Sequence, residues 1–478
     1  MHANPIYTDY LVIGAGATAM AFVDSLLSED AHAQVVMVDR NARVGGHWLH
    51  AYPFVRLHQP AAWYGVASRE LASGEIETSG YNAGMHSQSS GAEVLAYFEA
   101  LMNERFLPSG RVRFMPSCDA VRGADGTWAA RPLAGGAEAQ PIHVRRKVVD
   151  ATHARTEVPA THPPKYAVAE GVRCVPLNAL PERAKPGMRF TVIGSGKTGI
   201  DACLWLLQNG VAADHIRWVI PRDAWFMDRQ NFQPGRENFE HNMAYNANQF
   251  EAIASARDLP DLLQRLEAKG ALVRLDTAVE PTTYRCAVVS QGELAALRGI
   301  RDIVRLGRVQ RIERDRLVLD RGEVAADATA MLYVDCSASA IQPLPKLPVF
   351  EGDRINLFMV RFCQPLFSAA LIAWVEAHHT DAAQMNALCT PVPSPEVPAD
   401  WLRMWAATLA NLARWRADPA LSAWLSTCRL NGAAVQLRGV RPDDAARIAL
   451  VKHMGAQSAL AGAAMPALLA TLRQPQPA

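Results

Sequence analysis

The sequence carries almost no excess charge: 48 Lys and Arg stand against 47 Asp and Glu in 478 residues, a formal net charge of +1. That balance removes the main electrostatic argument for nucleic acid or an acidic membrane surface as the chief partner. Cysteine occurs eight times, at 118, 174, 203, 286, 336, 363, 389 and 428, yet there is no CxxC pair and no His/Cys cluster at zinc spacing. Neither a dithiol redox centre nor a structural metal is therefore expected. No apolar stretch is long enough to span a bilayer. The N-terminus enters a strand-like run near Tyr10 without the basic lead or small-residue cleavage site of a signal peptide. Low-complexity tracts and short tandem repeats are missing too. The expectation is a cytoplasmic, thiol-reduced chain with no membrane or nucleic-acid partner. With 50% hydrophobic and 20% charged residues it has a globular makeup, long enough for two or three domains of roughly 150 residues each.

What the chain does contain is one supersecondary unit, written twice. Tyr10-Leu11-Val12-Ile13 runs into Gly14-Ala15-Gly16-Ala17-Thr18-Ala19, then a helical stretch to Leu27, then Val35 to Val38 ending on Asp39. Phe190 to Ile193 runs into Gly194-Ser195-Gly196-Lys197-Thr198-Gly199, a helix through Leu207, then Ile216 to Ile220. Strand, tight glycine turn, helix and second strand are the parts of a dinucleotide-binding unit. A pyrophosphate must approach bare backbone and sit on the helix N-terminus, where unpaired N–H groups point at it. Gly14, Gly16 and Ala17 are the expected first cradle, and Asp39 is placed to accept hydrogen bonds from a ribose. The second unit offers Gly194, Gly196, Lys197 and Thr198, and it ends on Arg222-Asp223 instead of a lone acid. A guanidinium pairs with a ribose 2′-phosphate, so Arg222 argues for NADP. Asp223 argues the other way, by repelling that phosphate or bonding a 2′-hydroxyl.

Two further segments match each other. Val148-Val149-Asp150-Ala151-Thr152-His153 follows the first unit, and Tyr333-Val334-Asp335-Cys336-Ser337-Ala338 follows the second. Both are short apolar strands ending in Asp and small residues, expected where the chain leaves one dinucleotide domain and later returns. The fold class read from this is α/β, with two Rossmann-like dinucleotide-binding domains. The first domain spans 1–160, the inserted domain 161–330, the return segment 331–395 and a C-terminal helical region 396–478. Pro-rich connectors fall at 159–164 and 343–348. Ala92 to Phe106 reads as a helix and Arg111 to Met115 as a strand.

Two dinucleotide sites in one chain suggest hydride transfer from a nicotinamide to a second carrier, with FAD the natural occupant of the first. The chain resembles the class B flavin-dependent monooxygenases, which include the flavin-containing and Baeyer–Villiger monooxygenases, over most of residues 8–375. Beyond the two turns, the resemblance rests on Gly45-Gly46-His47-Trp48, similar to the family's GGxW segment beside FAD, and on Tyr52-Pro53-Phe54-Val55-Arg56, which in such proteins passes near the isoalloxazine. Several positions depart from the pattern. Phe54 replaces a glycine, and His58 stands where the Baeyer–Villiger branch has an acid. The stretch Ala169 to Val175 keeps only Gly171 of the linker fingerprint FxGxxxH. His153 and Ser337 replace the glycine of an ATG motif. The chain reads as a divergent branch.

The resemblance implies that NADPH reduces FAD, that O2 adds at the flavin C4a carbon, and that the resulting peroxide or hydroperoxide delivers one oxygen to a nitrogen, sulfur or carbonyl centre of a small molecule. It implies Gly46, His47 and Trp48 beside the flavin, and Arg56, His58, Gln59 and Arg285 as the polar groups that guard the oxygen adduct. Gln364, before Pro365 at a helix start, is expected to present its amide to the ring. Trp225, Phe226, Asn231, Phe232 and Gln233 form an aromatic, amide-rich stretch that either covers the nicotinamide or packs domains together. The helices from Trp401 onward supply a homodimer contact, a lid or a partner surface. Two alternatives stay open: a flavin oxidase or dehydrogenase on the same scaffold, and a non-catalytic FAD-binding redox sensor.

Overall fold

The computed structural model describes residues 4–72, 74–136, 138–152, 156–327, 330–338 and 347–472. His153, most of the 343–348 connector and the Gln-Pro-Gln-Pro-Ala tail lie outside the described residues. The first parallel sheet contains β1 (Ile6–Ile13), β2 (Val35–Val38), β3 (Val112–Met115) and β4 (Gln140–Asp150). With the returning strand Arg354–Asn356 its order is Arg354–Asn356, β4, β1, β2, β3, all parallel. Tyr10, Leu11, Val12 and all four residues of β2 are buried, as strands covered on both faces require. Helix α1 (Ala17–Glu29) follows β1 and is buried from Ala19 to Leu27.

A second parallel sheet is built from β5 (Cys174–Pro176), β6 (Arg189–Ile193), β7 (Ile216–Val219), β8 (Asp302–Val304) and β9 (Met331–Asp335). Its order is β5, β9, β6, β7, β8. Helix α2 (Lys197–Gln208) follows β6 as α1 follows β1. The chain thus leaves the first sheet after β4, builds the second, and re-enters the first at Arg354. Two smaller sheets extend the second body. One is a mixed sheet centred on Ala224–Asp228. The other combines Ala167–Val168 with the hairpins of Val309–Ile312, Arg316–Leu319 and Gly322–Ala325. Neither carries a motif of its own.

Helix α3 (Phe239–Ser255) packs along the C-terminal helix, so the last helices close on the inserted part of the chain. α4 (Pro365–His378) packs on α1 and is buried from Leu366 to Glu376, which explains why it is apolar on every side. α5 (Pro398–Ala417) and α6 (Ala445–Thr471) complete the tail. Among the described residues no helix is long and apolar enough to cross a membrane, and no group of His, Cys, Asp and Glu is placed to hold a metal.

One expectation is corrected here. Cys286 and Cys363 are joined in a disulfide across 77 positions, so the chain is not fully thiol-reduced. The spacing is invisible to a search for CxxC because the contact is made by the fold, tying strand Thr283–Val289 of the inserted part to the turn before α4. Six cysteines remain free, at positions 118, 174, 203, 336, 389 and 428, and burial raises the thiol of every one of them. Thiol titration of the unfolded chain is expected to give six reactive groups without reductant and eight after it. Eight in both cases would refute the bond.

Candidate functional site

The first glycine turn is shaped by close backbone approach. Gly14 holds φ +98 at the end of β1, a conformation that favours glycine, and its N–H donates to the Val38 carbonyl at 2.8 Å. Gly16 begins α1 in extended conformation with no side-chain cap. The N–H groups of the first helical turn therefore remain open, and Gly16, Ala17 and Thr18 keep accessible surface in an otherwise buried element. Gly46 crosses directly over this turn. A Cβ on Gly46 would lie 2.9 Å from the Gly16 Cα, so the GGxW segment and the first turn form one wall. Asp39 braces that wall: one carboxylate oxygen accepts from Ala15 N at 2.5 Å, the other from Asn41 N at 2.7 Å. Lone-pair capacity left on the first oxygen is what a ribose hydroxyl would use.

The second turn repeats the arrangement with tighter packing. A Cβ on Gly199 would sit 2.0 Å from the Gly194 carbonyl oxygen, so only glycine lets α2 lie this close to β6. Gly196 caps α2 without a side-chain bond, while Lys197 and Thr198 occupy its first turn. The Lys197 ammonium donates to the Asp201 carboxylate one helical turn on, and the Tyr52 hydroxyl donates to the same oxygen. Arg305 bonds both oxygens of Asp223, at 3.0 and 3.2 Å, and so balances its charge at the end of the second unit. Arg222, with its carbonyl held by Ser195 Oγ at 2.9 Å, keeps a half-exposed guanidinium 3.6 Å from Glu396.

Between the two turns runs the segment 52–59, which fastens the two bodies to each other. Phe54 stacks on Trp205 of α2 with ring centres 5.2 Å apart, beside the Tyr52–Asp201 bond. Arg229 is 1% exposed; it pairs with Glu293 at 2.6 Å and donates to the His58 carbonyl. The His58 side chain is partly buried. Burial, with the charges of Lys197 and Arg229, holds its imidazole well below the usual histidine value. A depressed folded-state value means that stability from this residue is constant above its ordinary value of 6.5 and falls as pH drops below it. The unfolding free energy is expected to fall by up to about 1.4 kcal/mol per pH unit there, and His58→Asn to remove that component of the slope in denaturant titrations. An unchanged slope would contradict a neutral His58.

The structure separates the four groups expected to act together. Arg56 faces outward, bonding Glu77 at 2.8 Å and the Gln88 carbonyl at 3.2 Å. Gln59 donates to the Trp63 carbonyl at 3.1 Å. Arg285 pairs with Glu396 at 3.1 Å, beside Arg222, so it belongs to the end of the second unit; the guanidinium that reaches the His58 segment is Arg229. His47 is exposed and stacks on Trp48 at 5.3 Å, and Trp48 Nε1 donates to the Tyr64 hydroxyl at 2.8 Å.

Gln364 is the N-cap residue of α4 but does not cap it; its Oε1 is buried with no hydrogen-bond partner among the described residues. Arg361, one turn earlier, lies over Phe367 and donates to Asn431 at 2.8 Å, and burial lowers it to about 10. No carboxylate pairs with it among the described residues, so this corner presents an orphaned acceptor and an uncompensated cation. The sequence singled out Gln364 but gave Arg361 no role. The 225–233 stretch is packing between bodies: Trp225 and Phe226 are buried in a strand, Trp63 donates to the Phe232 carbonyl at 2.7 Å, and His86 N donates to Gln233 at 2.8 Å.

No family model matches the sequence. The chain is 48% identical over 430 residues to the uncharacterized protein Rv2000 of Mycobacterium tuberculosis, covering 90% of this chain and 78% of that protein. The uncharacterized protein Mb2023 of Mycobacterium bovis matches to the same extent. Among solved structures, a polycyclic ketone monooxygenase from the fungus Thermothelomyces thermophila superposes with a TM-score of 0.50 at 11% identity, covering 96% of this chain and 90% of that one. The chain belongs to the family of these mycobacterial proteins, built on the fold of the class B flavin-dependent monooxygenases with its two dinucleotide-binding bodies.

Proposed function

We propose that the protein is an FAD-dependent, NADPH-driven monooxygenase that inserts one oxygen from O2 into a nitrogen, sulfur or carbonyl centre of a small molecule. The observation that carries this reading is the pair of uncapped helix N-termini behind glycine turns, each at the end of a central parallel strand of its own sheet. The residues present fit the two cofactors. The Gly16–Gly46 approach leaves a side-chain-free cradle, Gln364 Oε1 offers an acceptor without a partner among the described residues, and Arg361 offers a cation that no described carboxylate pairs. Gly14, Gly16, Ala17, Asp39, Gly46 and Trp48 would hold FAD, and Gly194, Gly196, Thr198 and Arg222 would hold NADPH. Bound together, the two cofactors supply hydride transfer and activation of O2.

The chain's own contribution is positioning and exclusion of water. The Phe54–Trp205 stack and the Tyr52–Asp201–Lys197 bonds fix the spacing between the two cradles. His58, neutral near pH 7, offers one ring N–H donor and one acceptor without adding charge. Arg229 holds the His58 backbone from behind and so sets where that ring points. Arg361 places positive charge at the N-terminal end of α4, where negative charge on a ligand is favoured twice, by the guanidinium and by the helix. A screen of amines, sulfides and ketones with NADPH and labelled O2 tests the reading. One labelled oxygen in a product supports it. NADPH consumption yielding only hydrogen peroxide with every class would replace it with a flavin oxidase.

A further inference from the structure

Arg285 lies on strand Thr283–Val289 and Arg222 in the turn after β7, yet their guanidinium groups meet on one carboxylate oxygen. Glu396 Oε1 lies 3.1 Å from Arg285 and 3.6 Å from Arg222. Glu396 belongs to the segment that enters α5, and its backbone is pinned. Its carbonyl accepts from Tyr284 N at 3.1 Å, and its N–H donates to the Asp400 carboxylate at 3.0 Å. Its side chain is 41% exposed and remains able to swing. Arg308 adds a third positive charge close enough to lower the Arg285 pKa alongside Arg222. The other acid at this strand end, Asp223, is already matched by Arg305. Glu396 is thus an exposed, replaceable carboxylate set between Arg222 and Arg285.

We infer that Glu396 is a specificity-determining residue of the second dinucleotide site: it competes with the ribose 2′-phosphate for Arg222 and Arg285, and so sets how strongly the site prefers NADPH over NADH. The inference rests on the proposed function above, which assigns this site to a nicotinamide dinucleotide. A phosphate monoester carries between one and a half and two negative charges and three acceptor oxygens, against one charge and two oxygens on Glu396, so it displaces the carboxylate from both guanidinium groups. NADH brings no such group and leaves the Glu396 contacts intact. Discrimination is thus set by a residue from the C-terminal helical region, beyond both dinucleotide folds.

Calorimetric titration of the full-length chain with NADP+, NAD+ and adenosine 2′,5′-bisphosphate tests this without turnover. Glu396→Gln is expected to tighten the two 2′-phosphorylated ligands about fivefold, the scale of a partly exposed charge pair, and to leave NAD+ within about twofold. Arg285→Ala is expected to weaken the same two ligands and not NAD+. Equal responses of NADP+ and NAD+ to Glu396→Gln, no response, or weaker NADP+ binding would each overturn the inference while leaving a dinucleotide site in place. Failure of wild type and variant to bind either dinucleotide would overturn the proposed function, and this inference with it.

Discussion

Gly16→Val is expected to yield a folded but colourless protein, with FAD affinity reduced at least about 100-fold, roughly 3 kcal/mol. The turn itself tolerates a side chain. Gly16 is in ordinary extended conformation, and a Cβ there finds nothing nearer than the Gly46 Cα at 3.6 Å. What the isopropyl group fills is the space in front of the α1 N–H groups, where a pyrophosphate must lie. Gly14→Val is a poorer test, since φ +98 strains any branched residue and a Cβ meets Thr152 Cγ2 at 3.1 Å, so lost flavin there mixes with lost fold. Flavin content after purification, read beside the melting temperature, checks the prediction. Full occupancy in Gly16→Val would mean that the first turn does not hold the flavin pyrophosphate.

Arg229→Ala is expected to cost about 3–5 kcal/mol of folding stability, the scale for breaking one half of a buried ion pair. Arg229 and Glu293 have side chains only 2% and 10% exposed, and Glu293 also accepts from Asn82 at 2.9 Å and from Ser290 N at 2.9 Å. Burial pushes the Glu293 carboxyl up, but Arg229 and these donors outweigh it and hold it below the usual value. Losing Arg229 leaves that carboxylate stranded and frees the His58 carbonyl. Replacing both residues, Arg229→Met with Glu293→Leu, is expected to recover most of the stability but not the fixed position of the 56–59 segment. Denaturant unfolding of the two variants separates these effects. A loss below about 1 kcal/mol in Arg229→Ala would mean that the pair does not hold the bodies together.

The two glycine turns were legible in the sequence because the geometry of a strand feeding a helix constrains neighbours within a few positions. Gly14, Gly16 and Ala19, then Gly194, Gly196 and Gly199, sit where backbone must meet backbone, and the structure shows those approaches at Gly46 on Gly16 and Gly199 on Gly194. The likeness of the two later strands was legible as well: β4 and β9 each pair in parallel with the strand that opens a unit. What could not be read is whatever depends on distant partners. Nothing near Arg285 announces Glu396, and nothing near Arg229 announces Glu293. Nor does anything local join Cys286 to Cys363. Arg56 and His58 are two positions apart, yet Arg56 is exposed and pairs with Glu77 while the backbone of partly buried His58 is held by Arg229, partners that come from elsewhere in the chain.

In the proposed function the two cradles exchange electrons, and anaerobic addition of NADPH to the FAD-loaded chain tests that most directly. Loss of the visible flavin absorbance is predicted for wild type. Gly196→Val, whose added Cβ has nothing within 4 Å, is predicted to abolish bleaching by NADPH while dithionite still bleaches the same flavin. A chain that binds FAD firmly but is reduced by neither NADPH nor NADH would contradict it.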